Sequence, residues 1–437
     1  MITNLLPVEA THSSLDLFEK PPLLITFDYS FEQKIGPAYS PNGPNLEFEV
    51  TGDRNNFIDL QRIYLELKCR ILNSDNTILK FTRGDAPNTD AAQFVNNALH
   101  SMFSDCTVTA NGLKISNANG LYGHKSFIET EFSNNSDAKR TWLHCQGYKY
   151  EDNPNDFTGN VFTTRQAAAR LSAVVTFYGK LPVDVFSCDK HLLSGVTLRI
   201  AFLRAQNDFI TLSEDDAKHY KVQIVEANLY VRKIVVNDNV VAAIERTLLK
   251  SPAIYRYNEV IAKTFLATNG QRNWKHEDVF MKEPIRRLAI AMNTNRAFAG
   301  SHRDNPFWYR KFDLSEITVY RNGLPIAGTP MSTVDNKRVY FNTIGSLAYI
   351  ENGHGIPLDD YENHFVMVFD LTSTQEASHD FLHPELTNAS ISLELKFGSA
   401  LTDNIEILLL GEKTSTIYIN SDRNVSKNTL LASSANG

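Results

Sequence analysis

Histidine and cysteine side chains are the usual metal ligands and nucleophiles of proteins, so their spacing is the first indication of chemistry. Cys188 and His191 form a Cys-x-x-His pair, which is half of a zinc site without a visible second half. His379 and His383 have the spacing of two ligands on one helix face, but Pro384 follows them and the glutamate of a zinc-protease helix is absent. We therefore interpret Cys188 as a small buried residue and the two histidines as exposed loop residues. We expect no metal and no cofactor.

Other polar clusters also have simpler interpretations than catalysis. The run DDYENH at residues 359–364 follows Pro357 and is typical of a solvated loop rather than an acid/base cluster. The sequence GHG at 353–355 predicts a turn, and the basic pairs at 139–140 and 286–287 are too short for a phosphate track. Phosphate-binding, dinucleotide-binding and serine-hydrolase motifs are absent from the sequence. The sequence thus predicts neither an enzyme nor sequence-specific nucleic-acid binding.

The composition is that of an ordinary folded protein. The chain has 437 residues, of which 42% are hydrophobic and 21% charged, and this length allows two or three domains at roughly 100 to 200 residues each. A net charge of −7 argues against a protein that binds along the phosphate backbone of a nucleic acid. An aromatic content of 11% favours β structure, because flat side chains fit a pleated face.

The start of the chain and its apolar runs bear on localisation. The first residues, MITNLLPVEATHSS, lack the basic and apolar regions of a secretory signal, so we expect synthesis in the cytoplasm. No apolar run, including the strongly apolar residues 407–410, approaches the ~18 residues of a membrane span, and no span is expected. The four cysteines are widely spaced, which indicates reduced thiols rather than a disulfide framework.

Alternation of apolar and polar residues is the strongest structural signal. Ile63, Leu65 and Leu67 alternate with polar residues, as do Leu393, Leu395 and Phe397. We therefore expect each set to form the buried face of a strand whose other face is exposed. Asn-Gly pairs at 111–112 and 322–323 predict hairpin turns. Helical spacing is confined to three short stretches, at 95–103, 121–132 and 241–248. The sequence therefore predicts an all-β protein with short helical insertions.

Two internal repeats indicate a duplication. Residues 107–115, TVTANGLKI, match 318–326, TVYRNGLPI, and residues 196–202, VTLRIAF, match 391–397, ISLELKF. Both matches run in the same order at similar spacing, which favours two copies of one unit. Roughly 200 residues per copy fits an eight-stranded jelly roll better than an immunoglobulin unit of ~100 residues.

These observations predict two jelly rolls in tandem. We assign residues 1–22 to an N-terminal arm, 23–216 to the first jelly roll, 217–425 to the second and 426–437 to a flexible tail. The acidic stretch after Ser213 is the expected connection between the two jelly rolls, because its sequence is typical of a linker or a short capped helix.

Several strings resemble the major capsid proteins of Polinton (Maverick) elements and adintoviruses. SLDLFEKPP at 14–22 is similar to their SxLDLFxxPP segment, and NNALHSMFS at 96–104 is similar to their NNxLHSxF helix. LYVRK at 229–233, NPF at 305–307 and DRNV at 422–425 follow in the family's order. Residues 93–95 depart from the pattern, because family members often have Pro-Val before the NNxLHS segment.

The resemblance implies a double jelly-roll hexon that trimerises into a pseudo-hexagonal tile of an icosahedral virion around double-stranded DNA. Its implied partners are two further copies of the chain, neighbouring capsomers, and penton and minor capsid proteins. Six jelly rolls in a threefold trimer present six similar sides, so a duplicated chain can tile a hexagonal lattice. A lectin-like tandem sandwich and a cupin-like metalloenzyme remain as alternatives; the first would cluster its three tryptophans, the second would bind metal.

The N-terminal arm is the segment whose residues we expect to contact an assembly partner. It carries prolines at 7, 21 and 22 and a short apolar set, Leu15, Leu17 and Phe18. Isolated helices shorter than ~12 to 15 residues are marginal in water, so this set should order only against another surface. We expect Leu15, Leu17 and Phe18 to dock in an apolar groove at the base of the assembly; a tail without a role is the alternative.

Overall fold

Antiparallel strands form the framework of the protein, as the alternating sequence predicts. The computed structural model describes residues 27–428 apart from 54, 81–89, 216–217, 327, 348–352, 373–376 and 378–388. The arm with Leu15, Leu17 and Phe18, and the pair His379 and His383, lie outside the described residues. The strands before residue 237 are β1 Phe27–Ile35, β2 Asn45–Val50, β3 Asn56–Asn73, β4 Ala92–Phe94, β5 Phe103–Ala110, β6 Leu113–Ser116, β7 Val175–Lys180, β8 Leu198–Arg204, β9 Thr211–Ser213 and β10 Tyr220–Val236.

The second half repeats this pattern. Its strands are β11 Ala253–Ala267, β12 Asn273–His276, β13 Arg287–Thr294, β14 Leu314–Arg321, β15 Leu324–Pro325, β16 Met331–Ser332, β17 Val366–Asp370, β18 Ile391–Phe397, β19 Ile405–Ile419 and β20 Val425–Lys427. The α-helices of the described residues are α1 Ala98–Ser101, α2 Tyr122–Phe132, α3 Ser136–Arg140, α4 Asn160–Ala169, α5 Asn207–Ile210, α6 Asp238–Leu248, α7 Asn295–Ala299 and α8 Lys337–Ser346. Short 3-10 turns occur at Trp142–Gln146, Arg170–Ser172, Asp184–Ser187 and Tyr361–His364.

Four sheets make two sandwiches with the same strand order. Sheet I is β1-β10-β3-β7 and sheet II is β2-β8-β5-β6; sheet III is β11-β19-β13-β17 and sheet IV is β12-β18-β14-β15. If the small pair β4-β9 and the edge strands β16 and β20 are set aside, each half has eight strands that pair in the same sequence order. The predicted double jelly roll is confirmed.

The sequence repeats coincide with equivalent strands. TVTANGLKI covers the β5-β6 hairpin and TVYRNGLPI the β14-β15 hairpin, while the second pair of strings covers β8 and β18. Asn111 and Gly112, and likewise Asn322 and Gly323, have the positive φ angles that hairpin turns require. β8 pairs with β5 and β18 pairs with β14, so the two repeats are also neighbours in space.

The strand pairing moves the boundary that we propose between the jelly rolls. β10 pairs with both β1 and β3, which makes it the last strand of sheet I, although it follows residue 216. We therefore propose a first jelly roll of residues 27–236 and a second of 253–427, joined by α6. Asn237 caps α6 as expected, because its side chain accepts a hydrogen bond from the amide of Asn239. β20 pairs with β19, so residues 426–427 are part of a sheet rather than of a flexible tail.

The helices predicted at 121–132 and 241–248 are confirmed as α2 and α6, whereas the helix predicted at 95–103 is shorter than expected. The stretch 95–103 forms only the four-residue α1, and Phe103 begins β5. The reason is pairing: β5 lies between β6 and β8, and its ladder with β8 begins at Phe103 opposite Arg204. The helical spacing of apolar residues there arose from a short helix followed directly by a strand.

We expect Leu65→Ala and Leu395→Ala each to lower the free energy of unfolding by roughly 2 to 5 kcal/mol, because both leucines are fully buried in separate cores. Chemical denaturation measures the loss. Lys114→Ala, at an exposed position of β6, is the control and should change stability by less than about 0.5 kcal/mol. Two leucine variants as stable as the control would contradict the core assignment.

Candidate functional site

Sheet III is buried on both faces, which is unusual for an antiparallel sheet. Ile407 and Leu409 of β19 point into the core of the second jelly roll, whereas Leu408 and Leu410 join the apolar cluster that includes the first core. The neighbouring strand β13 divides in the same way, with Ala289 and Ala291 on the side of the first cluster. The outer face of sheet III is therefore the interface that joins the two jelly rolls.

Aromatic contacts from α2 form part of this interface. The ring of Phe127 stacks on Phe307 with centroids 4.3 Å apart, and the ring of His124 stacks on Phe298 at 3.9 Å. His124 Nδ1 also lies 3.0 Å from the hydroxyl of Tyr309. α2 belongs to the first jelly roll and residues 298–309 to the second, so these contacts hold the two units together.

A buried ion pair lies in the same interface. Lys125 Nζ is 2.5 Å from Asp184 Oδ1 and 3.8 Å from Glu129 Oε1, and the other oxygen of Asp184 accepts a hydrogen bond from the amide of Val260. Burial disfavours the ammonium of Lys125, but the carboxylates outweigh this and raise its pKa. Burial raises the pKa of Asp184. Removing either partner would leave an uncompensated charge inside the interface.

A second polar cluster surrounds Glu131. Its carboxylate accepts a hydrogen bond from Tyr148 at 2.5 Å and lies 3.5 Å from Lys139 Nζ and 3.4 Å from His364 Nδ1. Burial alone would raise the pKa of Glu131, but Lys139 and His364 hold it below its usual value. His364 also contacts the backbone oxygen of Glu151 through Nε2 at 2.6 Å. This cluster links the jelly rolls through side chains more than 200 residues apart in sequence.

The predicted loop at 359–364 is partly wrong. Asp359 and Glu362 are exposed, as expected, but His364 is buried because it reaches across the interface to Glu131. Asp360 accepts a hydrogen bond from Tyr150 of the first jelly roll at 2.6 Å. The cluster is therefore an interdomain contact rather than a solvated loop.

Other candidates behave as interpreted. Cys188 is buried in the core, and Gly353 and Gly355 adopt the positive φ of a turn. In the two basic pairs, Lys139 is paired with Glu131, and Arg286 and Arg287 both contact Glu412. The three tryptophans do not cluster on one sheet, since Trp274 is buried, Trp142 is exposed and Trp308 packs against the guanidinium of Arg310.

Sheet I has an open outer face that carries aromatic residues. Tyr64 and Tyr178 stack with centroids 5.6 Å apart, and Tyr230 lies 5.9 Å from Tyr178. The ion pair Lys68–Glu226 beside them is solvent-accessible, with 37% and 40% of the two side chains exposed. Sheet I corresponds in strand order to sheet III, so the equivalent face is covered in one jelly roll and open in the other.

Asp208, His219 and His302 bring three side chains with potential metal-ligating atoms together, and sequence spacing did not reveal this group. They come from three separate segments and match no motif, so only the fold brings them together. Within the described residues, none of the helices combines the length and the apolar character that a membrane crossing requires.

Comparisons with known proteins identify the fold. No family model matches the chain. An uncharacterized protein of Caenorhabditis elegans is 19% identical over 376 residues, which is 82% of this chain and 87% of the relative. Among solved structures, the chain is similar to one from the Sputnik virophage, with a TM-score of 0.66, 11% identity and coverage of 98% of this chain and 94% of the other.

Two further structures share the architecture. The mavirus major capsid protein has a TM-score of 0.55 at 10% identity, covering 97% of this chain and 94% of that protein. A chain of the PBCV-1 virus capsid has a TM-score of 0.59 at 12% identity, covering 95% of this chain and 100% of the other. The protein thus has the double jelly-roll fold of viral major capsid proteins, as its sequence resemblance implies.

We expect mild acid to destabilise the interface, because burial lowers the pKa of His124 to about 3. The neutral imidazole contributes stability that is complete above the unfolded pKa of ~6.5 and is lost as pH falls towards 3. His124→Phe removes this titration, so the slope of unfolding free energy between pH 6 and 4 should flatten by up to about 1.4 kcal/mol per pH unit.

Denaturant titrations at several pH values measure this slope, whatever the overall stability of the variant. The exposed His144 provides the control, and His144→Phe should keep the wild-type slope. An unchanged slope in His124→Phe would show that its protonation does not couple to folding.

Proposed function

We propose that this protein is a structural capsid subunit that forms homotrimers, and that the trimers tile an icosahedral shell around double-stranded DNA as pseudo-hexagonal capsomers. The repeated strand order of the two jelly rolls is the observation that carries the proposal. A chain with two equivalent units can present six similar sides from three copies. The capsid folds of the similar structures support the same role.

The internal interface indicates how the copies would meet. The first jelly roll covers the outer face of sheet III in the second, whereas the equivalent face of sheet I stays open. In a closed ring, every unit would be covered by the one before it, so sheet I of each chain would receive the second jelly roll of its neighbour. Such head-to-tail contacts close into rings when the rotation permits.

The two surfaces have suitable composition for this contact. Sheet I offers Tyr64, Tyr178 and Tyr230, and tyrosine is enriched at the centres of protein interfaces. In the second jelly roll, α8 lies between β15 and β17, which matches the place of α2 between β6 and β7. Phe341 on α8 is 64% exposed and is our candidate for the opposing apolar contact.

The remaining roles follow from the same proposal. Polinton or adintovirus elements are the proposed source because of the ordered strings at 14–22, 96–104 and 422–425. The protein would be non-enzymatic, located in the virion after synthesis in the host cytoplasm, and in contact with neighbouring capsomers and with penton and minor capsid proteins. A net charge of −7 fits a shell that leaves condensation of the genome to other proteins.

We expect the purified protein to have a mass near three times 49.3 kDa, because the open face of sheet I is the proposed contact with the next copy. Native mass spectrometry or mass photometry at micromolar concentration in physiological salt measures it. A monodisperse monomer would contradict the hexon proposal. Tyr178→Asp and Phe341→Asp should each shift the protein to monomer, whereas Leu324→Asp, at a side chain that is 72% exposed on the β14-β15 hairpin, should stay trimeric.

We also propose that Leu15, Leu17 and Phe18 of the arm dock into an apolar groove of the same tile, a neighbouring tile or a minor capsid protein. Deleting residues 1–20, or changing Leu17 and Phe18 to Ser, should leave the melting temperature of the trimer nearly unchanged but reduce the yield of closed shells. The number of closed shells is measured by negative-stain electron microscopy. Equal yields from truncated and full-length protein would show that the arm is dispensable.

A further inference from the structure

Three side chains with metal-ligating atoms meet where the two jelly rolls adjoin. Asp208 lies on α5, His219 directly precedes β10, and His302 lies in the loop after α7. One ligand atom of each lies within 4.8 Å of the other two. The first two residues belong to the last connection of the first jelly roll, whereas His302 belongs to the second. We propose that this group binds one zinc ion, or a similar divalent transition-metal ion, as a clamp between the jelly rolls.

The distances are close to those of a zinc site. Asp208 Oδ1 is 3.3 Å from His219 Nδ1 and 3.9 Å from His302 Nδ1. Tetrahedral zinc with bonds of about 2.0 to 2.2 Å separates neighbouring ligand atoms by roughly 3.3 to 3.6 Å. The ligand atoms of the two histidines lie within 4.8 Å of each other, so the rings would move closer together on binding an ion. A water molecule would supply the fourth ligand on the exposed side of His219.

The second nitrogen of His302 supports the assignment independently. Nε2 lies 3.0 Å from the backbone oxygen of Asp215, which can only accept, so Nε2 donates its hydrogen there. In the neutral ring this leaves Nδ1 as an acceptor 3.9 Å from the Asp208 carboxylate, and a cation between the two acceptors, a proton or a metal ion, would satisfy both. Metal-ligating histidines commonly donate their other ring nitrogen to a carbonyl in this way.

The surroundings hold the group in position. His302 is only 8% exposed, and its ring contacts that of His219 edge-on at 5.2 Å. Gly300 allows the loop to approach α5 closely: a Cβ at this position would lie 3.2 Å from the Cβ of Phe209. The nearby ammonium of Lys218 is paired with Asp90 at 2.8 Å.

The donor set determines which ion is expected. Two imidazoles and one carboxylate suit zinc and similar transition metals, whereas calcium and magnesium prefer sites made only of oxygen ligands. A bound ion would tie α5 and the start of β10 to the second jelly roll. It would therefore stabilise the same interface that α2 stabilises, through different residues.

Isothermal titration of the metal-free full-length protein with zinc chloride tests the proposal. We expect one equivalent to bind, and His219→Ala and Asp208→Asn each to weaken binding at least tenfold. Both side chains are partly or largely exposed, so these variants should fold, and circular dichroism and melting without metal check that they do. His144→Ala, which removes an exposed histidine elsewhere, should bind like the wild type, and calcium chloride should give no binding.

Two further measurements separate a clamp from surface binding. Cobalt(II) should give the intense visible absorption of a tetrahedral site in the wild type and lose it in His219→Ala. At a zinc concentration that just saturates the wild type, the melting temperature of the wild type and of His144→Ala should rise clearly more than that of Asp208→Asn. Equal zinc affinity in the wild type and in both site variants, or no zinc-dependent change in the wild-type melting temperature, would overturn the proposal.

Discussion

Burial of both faces of sheet III is the constraint on which the arrangement of the two jelly rolls depends. A jelly roll needs only its inner faces covered to be stable, so the apolar outer face of β13, β17 and β19 requires a second layer. The first jelly roll supplies that layer with α2 and the turn at Asp184–Ser187. The two units are therefore one packed body, and their relative orientation is part of the fold.

Buried polar groups fix the relative position of the two jelly rolls across this apolar contact. Two buried carboxylates of the first jelly roll have partners in the second: Asp184 accepts a hydrogen bond from the amide of Val260, and Glu131 pairs with His364. These contacts form in one arrangement only, whereas apolar side chains tolerate sliding. Buried ion pairs add little net stability when compared with well-packed apolar groups. We infer that these crossing contacts contribute registry: a displaced interface would separate Asp184 from Val260 and Glu131 from His364.

Local features of the fold were predictable from sequence, and contacts between distant segments were not. Alternation identified the buried residues of β3 and β18, and the Asn-Gly pairs identified two hairpins, because these signals depend on neighbouring residues. The sheet that β10 joins depends on strands that lie far earlier in the chain, so local patterns alone place the boundary between the jelly rolls before β10. His364 and the group around Asp208 were missed for the same reason.

Covalent connection of the two jelly rolls has a kinetic consequence. In the ring of three chains that we propose, half of the contacts between units would form within a chain, at an effective concentration set by the short connection through α6 rather than by the amount of protein. Only the contacts at sheet I depend on collisions between molecules. A duplicated chain would therefore build a six-unit ring by two encounters instead of five, which leaves fewer incomplete rings to compete for subunits.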